Sequence, residues 1–425
     1  MDNEKNETSD LLVNNLIYVS PDPLSLAVQR NLCKNFFQRS TYEGGTGSTA
    51  RCDLNSGSYY IDPANSYLTF DIQLTGTAPF LANFGIGSAM NCLNQILLRT
   101  KSGVEIDRVE RANIFSLYET INTESIQYLN TNGSVEGFQT NYLTGNSGGY
   151  VYPLNTQTAK RFVLPLKRLS NFFNPVKAGQ LLPAAIMSGL SIEIIFEDYR
   201  TAFLKAPGAG GTCTGYTISN IALMLDSVTL TDDCQKTLNS ISSQSGLELT
   251  YARSYCSINE VNTTQVSCQV RKAVSNACYA MAVILNPAHI QDITQDSFAS
   301  MPFTVSRYQT RLGSLYFPQQ PVIATGSEPS VDIEAFIDSK ACFNKYHDNH
   351  QEGATSFYSF ALNAGTICVN LQRDQNLLVS GAPVNNSRVL EMDLNFISAL
   401  NRSIYVFMVY NCVSRAYLDN TSVGL

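Results

Sequence analysis

The sequence predicts an all-β chain built as two tandem β-sandwiches with short helices in the loops. Three observations carry this. Short apolar runs alternate with polar residues at a period of two, punctuated by Gly, Pro and Asn-Pro. These runs recur through the whole chain without the regular strand–helix alternation of a parallel sheet. The 425 residues exceed what one ordinary core serves and suit two units of about 200.

Residues 1–44 read as an N-terminal arm. Its first ten residues are polar and acidic, residues 1–20 read as a mobile arm, and Leu24, Val28, Leu32 and Phe36 follow Pro21 and Pro23 at helical spacing, which predicts a short helix. Gly44, Gly45 and Gly47 form a flexible joint. Strands follow at about 49–54, 58–62 and 66–75. In the last, Leu68, Phe70, Ile72 and Leu74 alternate with Thr69, Asp71 and Gln73. Residues 94–99 and 104–109 read as a hairpin turning at Ser102-Gly103. Ile114, Leu117, Tyr118 and Ile121 then recur at helical spacing, predicting a helix over 111–122. Residues 130–158 and 204–216 read as long loops. Between them, Leu190, Ile192, Ile194 and Phe196 face one way while Ser191 and Glu193 face the other.

A seam falls near 239–246, which divides the chain into 45–240 and 241–425. The strand pattern then restarts. Residues 277–285 are a continuous apolar run and predict a strand buried on both faces. Residues 305–323 give two strands, turning at Gly313 and exiting at Pro318. Ile333, Phe336, Ile337 and Ala341 predict a helix over 331–345, capped by Ser330. Leu390, Met392, Leu394 and Phe396 alternate with Glu391, Asp393 and Asn395, and residues 404–410 are again apolar throughout. Each half therefore offers about eight strands and one central helix, and the eight-stranded jelly roll is one such sandwich.

Composition narrows the function. Charged residues are only 15%, against about 25% in ordinary soluble domains. A weakly charged surface suits a protein that buries its outside against copies of itself, because burying charge is costly; an all-β surface rich in Ser and Thr would give the same figure. The formal charge is −7 and basic residues form only isolated pairs, Lys167-Arg168 and Arg271-Lys272, so direct nucleic-acid binding is not expected. The eleven cysteines show no CxxC, the N-terminus lacks the basic and apolar regions of a signal peptide, and no apolar run is long enough to span a bilayer. Free thiols in a reducing compartment are the expectation.

Little chemistry is on offer. His289 follows Asn286-Pro287 at a strand exit and reads as structural. Cys342, His347 and His350 could supply three zinc ligands, but a fourth is missing. Asp232-Asp233 and the pair Glu105 and Asp107 read as solvated carboxylates. Gly208, Gly210 and Gly211 mark a loop tip without the Lys-Ser/Thr of a phosphate loop, and there is no nucleophile elbow. No catalytic, cofactor or metal residue is assigned and no enzyme activity is expected.

The order of these patterns resembles the double jelly-roll major capsid proteins of large eukaryotic DNA viruses, virophages and polinton-like viruses. In the first half the resemblance lies in residues 162–173, 180–198 and 218–234. In the second it lies in 311–322 with its Tyr316-Phe317-Pro318 turn, in 357–373 with 378–381, and in 393–417. The resemblance implies a double jelly roll whose homotrimers make pseudo-hexagonal capsomers tiling an icosahedral virion. It also implies contacts with penton or minor capsid proteins, and an inner-face arm able to meet an internal membrane. A tandem β-sandwich binding protein, of adhesin or carbohydrate-binding type, is the alternative; the absence of tryptophan and of a signal peptide weighs against it.

Overall fold

The structure is a computed structural model and describes residues 27–45, 47–139, 153–175, 179–302, 304–323, 333–343, 354–372, 380–416 and 421–424. Eight principal strands make the first sandwich: β1 (Ala27–Phe36), β2 (Thr49–Asp53), β3 (Tyr60–Thr77), β4 (Leu93–Arg99), β5 (Glu105–Glu110), β6 (Lys160–Pro165), β7 (Ser191–Phe196) and β8 (Thr212–Leu230). One sheet runs β1-β8-β3-β6 and the facing sheet β2-β7-β4-β5. The second sandwich repeats this plan with β9 (Leu247–Val261), β10 (Gln265–Val270), β11 (Val274–Leu285), β12 (Val305–Leu312), β13 (Leu315–Ile323), β14 (Thr366–Asn370), β15 (Leu390–Phe396) and β16 (Arg402–Ala416). Its sheets run β9-β16-β11-β14 and β10-β15-β12-β13. Both halves thus order their eight strands 1-8-3-6 against 2-7-4-5, the Greek-key wrapping of a jelly roll. Shorter strands such as Thr41–Glu43 and Ala382–Val384 extend the first-named sheet of each half.

A central helix follows the fifth strand in each half: α1 (Ala112–Thr123) in the first and, C-terminal to it in the chain, α3 (Ile333–Cys342) in the second. Between the halves lies α2 (Asp232–Gln244).

Alternation places the cores. In β15 every second residue from Leu390 to Phe396 is buried. In β3, Leu68, Phe70, Ile72 and Leu74 point inward, while outward Asp71 is gripped by Arg161 of β6 at 2.7 Å and 2.9 Å. β16 is buried on both faces. Ile404, Val406, Met408 and Tyr410 enter the core of the second sandwich. Tyr405, Phe407 and Val409 enter a core continuous with the first.

Five expectations are corrected. Residues 27–36 form a strand, not a helix. A spacing of four is even, so Val28, Leu32 and Phe36 also share one face of a strand, and antiparallel pairing with residues 222–230 of β8 decides the outcome. The two strands expected at 58–62 and 66–75 are one, carried through Pro63 by a bulge in its pairing with β8. There the Asp62 carboxylate accepts from Ala64 N at 3.0 Å and Asn65 Nδ2 at 2.9 Å. The seam at 239–246 lies largely within α2, whose Thr231 N-cap position is followed by Asp232 and Asp233 in the first turn, where carboxylates suit the helix dipole. β13 does not exit at Pro318 but continues to Ile323, as an edge strand can. Finally, α3 buries Ala335, Ser339, Lys340 and Cys342, while Ile333 is 53% exposed. Phe336 instead packs edge-on against Phe357 and Phe360, and burial over the Phe336 ring draws the Lys340 ammonium down to about 8.

The long loop expected at 130–158 contains the short helix Asn132–Glu136 and the strand Leu154–Asn155; residues 140–152 lie outside the described residues. The loop expected at 204–216 ends early, because β8 begins at Thr212.

Candidate functional site

The residues with chemical potential do not converge. His289 sits in the turn after β11, its N–H donating to Asn286 O at 3.0 Å and its carbonyl accepting from Ser297 Oγ at 2.8 Å. Cys342 ends α3 and is buried, whereas His347 and His350 lie outside the described residues. Among the described residues no group of three or more His, Cys, Asp or Glu is placed to hold a metal. Asp232 and Asp233 lie on the exposed first turn of α2; Lys236 stands 3.7 Å from Asp233, an exposed pair of little energetic weight. Gly208 and Gly211, with φ of +74° and +67°, turn the chain between the short strand Leu204–Lys205 and β8.

Asp107 overturns its expected solvated place, being 1% exposed. Asp107 pairs with core-facing Leu98 of β4, so it shares the inward face of the sheet on its edge strand, where Arg253 of β9 reaches it. Its carboxylate accepts from Ser170 Oγ and from Arg108 N at 2.9 Å, and Arg253 Nε of β9 stands 3.3 Å away. Burial pushes the Asp107 carboxyl above its usual range, against the pull of Ser170 and Arg253. Glu105, on the rim, takes Arg253 at 3.3 Å and Arg108 at 2.8 Å.

This is the centre of a junction between the rolls. Tyr251 donates to Ile106 O at 2.9 Å and meets Phe172 edge-on at 5.2 Å. From α1, Phe115 packs on Phe407 at 5.4 Å and Tyr118 donates to Phe298 O at 2.9 Å. The half-buried Asp296 accepts from Ile86 N at 2.9 Å and from Phe298 N at 3.0 Å. Sequence reasoning passed over Tyr251, Arg253 and Asp296. The available signal was an arginine two residues from Tyr251 in the phase of buried Leu249 and Tyr251.

A second polar cluster fixes the first roll before residue 140. Arg168, its side chain 6% exposed, reaches Glu136 at 3.1 Å and Glu124 at 3.1 Å; Lys167 reaches Glu124 at 2.6 Å, and Tyr128 donates to Glu136 at 2.6 Å. These charges satisfy one another, and removing Arg168 would leave the buried Glu136 without its cation.

The open surface is the more distinctive feature. β1 exposes Val28 at 68%, Leu32 at 50% and Phe36 at 69%, and β13 exposes Leu315, Tyr316 and Ile323. Among the described residues no helix is long and apolar enough to cross a membrane.

No protein-family model matches the chain, and no curated protein matches it by sequence. Solved structures do match it. The Faustovirus major capsid protein aligns at a TM-score of 0.62 with 8% identity, over 98% of this chain and 94% of that one. PBCV-1 VP54, fitted into a reconstruction of the virophage Sputnik, aligns at 0.61 with 12% identity, over 96% and 99%. A chain of the Sputnik virophage aligns at 0.58 with 11% identity, over 96% and 90%. The chain has their fold, two jelly rolls joined in tandem.

Proposed function

We propose that this chain is a major capsid protein, a structural component of a virion and not an enzyme. Three copies join into a pseudo-hexagonal capsomer, and capsomers tile an icosahedral shell. The observation that carries this reading is the duplicated 1-8-3-6 and 2-7-4-5 strand order, joined in one chain and aligned along nearly the whole length of capsid proteins. Two like rolls per chain give six like corners per trimer, so a three-fold assembly fills a six-fold position. A charge content of 15% supports extensive self-burial, and the net charge of −7 fits a shell that does not itself grip nucleic acid. The partners are other copies of this chain, then penton or minor capsid proteins, with the N-terminal residues as the route to an inner membrane.

Electron microscopy of the purified protein tests this. Particles with three-fold symmetry and a six-lobed outline are expected. Featureless single rolls or an open fibre would contradict it.

A further inference from the structure

The start of β1 lies beside an open groove. Ala27 pairs with Leu230, the last residue of β8. Leu230 packs with Tyr60 and Val228, and Ala184, Cys234 and Leu238 close over them. Tyr60 and Ala184 also line a cleft of about 610 Å³, whose other wall is Gln235, Asn239 and Ser242 on one face of α2. Past Thr100, Lys101 and Ser188, which line both, this cleft adjoins a second of about 550 Å³ that reaches Arg51 and Arg99. Each lies within the roughly 300–1,000 Å³ of ordinary binding clefts.

The two clefts differ in chemistry. The first offers apolar contact at Tyr60, Ile186 and Leu247 and, on α2, amide and hydroxyl groups able to bond an extended main chain. The second is cationic, because Arg51, Arg99 and Lys101 meet only two carboxylates, Asp53 and Glu193. Arg51 and Arg99 share Glu193 at 3.5 Å each, and the exposed Lys101 has no ion pair among the described residues. The sequence that precedes β1, residues 1–26, lies outside the described residues but has the same two characters. Residues 11–19 hold seven apolar side chains in nine, and residues 2–10 set Asp2, Glu4, Glu7 and Asp10 against Lys5. Counted back from Ala27, the apolar stretch comes first and the acidic stretch second, which is the order of the clefts.

We propose that residues 2–19 dock in this groove of their own chain, 11–19 in the first cleft and 2–10 over the cations of the second. The linking residues 20–26 span up to about 23 Å when extended. That is ample for a cleft sharing Tyr60 with the cluster that holds Leu230. Tethering supplies a local concentration on the order of millimolar, so modest contacts suffice. Docked residues are withdrawn from the route to a membrane, which gives this segment a held and a released state. The placement concerns the free chain and does not depend on the capsid reading.

Photo-crosslinking in the full-length chain tests this. The photoreactive residue p-benzoylphenylalanine replaces Asn239 of the first cleft in one variant and Asn55 of the second cleft in another. Both asparagines are exposed, so each variant should keep the wild-type melting curve. After irradiation, peptide mapping should find the probe at 239 joined to residues 11–19 and the probe at 55 joined to residues 2–10. The product should keep the 46.7 kDa chain mass on a denaturing gel. Adding Lys101→Glu should lower the yield from the probe at 55 by about threefold to fivefold at low salt; an unchanged yield would overturn the placement. Capture of nothing from residues 2–19, or capture in the reverse order, would overturn it too. A product of twice the chain mass would assign the groove to another copy and equally overturn the proposal.

Discussion

Arg253 Nε lies 3.3 Å from Asp107 Oδ1, and this ion pair spans the boundary between the two rolls. The Arg253 side chain is 11% exposed and that of Asp107 1%. Arg253 also has Glu105 at 3.3 Å, whereas Arg253 is the one basic partner of Asp107 among the described residues, so removing Arg253 leaves the buried Asp107 charge uncompensated.

Arg253→Ala should therefore cost about 3–5 kcal/mol in a denaturant titration. Replacing both residues with leucine should cost far less than the sum of the single changes, because the double change leaves no orphaned charge. A loss under about 0.5 kcal/mol for Arg253→Ala, the range of ordinary surface changes, would mean that the junction does not rely on this pair.

Val406 is fully buried in the centre of β16, facing the second sandwich's own core. Val406→Asp puts an unpaired carboxylate there. The expected loss exceeds about 4 kcal/mol, the tail reserved for such changes, and soluble yield should collapse. Ser240→Asp, on the exposed side of α2, should stay within about 0.5 kcal/mol. Thermal melts of the two variants check this, and a normally folded Val406→Asp would contradict the placement of β16.

What the sequence revealed follows from how each residue is buried. β15 was legible because one face meets a core and the other meets polar surroundings, which writes the alternation directly. The unbroken apolar run of β16 was legible because both faces are covered, by Val406 on one side and Phe407 on the other. Asp107 was not legible: a carboxylate in a short hairpin strand reads as solvated, and nothing local indicates that Ser170 and Arg253 close over it. β1 misled because a spacing of four satisfies a helix and a strand alike. α2 was missed because its apolar stripe is short, Cys234, Leu238 and Ile241, with only Cys234 and Leu238 packed on a small cluster, and its Ser, Asn and Gln content reads as a linker.

The eleven cysteines are free, and their reactivity should follow exposure. Cys33 is exposed; Cys213, Cys234 and Cys256 are half-buried; the remaining seven are buried. Burial pushes the thiols of Cys52 and Cys278 up to about 12 and about 11, which suppresses the reactive thiolate. A thiol reagent followed by mass spectrometry should label Cys33 first, and Cys278, Cys368 and Cys412 only after unfolding. Native disulfides at the last three would contradict this.

Glu124 supplies a pH dependence. Desolvation raises its carboxyl, but Arg168 and Lys167 outweigh that and hold it below the ordinary 4.5. A depressed folded-state value means the stabilisation is present above about pH 4.5 and is lost as pH falls through the folded value. Glu124→Gln should be less stable than the wild type at pH 7, and the gap should shrink as pH drops from 5 toward 3. Parallel curves across that window would show that Glu124 is not stabilised by its arginine.

The native mass of the purified wild-type chain is the most direct test of self-assembly. Multi-angle light scattering at micromolar concentration, without denaturant, should give three times the 46.7 kDa chain mass, held by interfaces above roughly 2,000 Å² of the obligate kind. A single species at 46.7 kDa would contradict it.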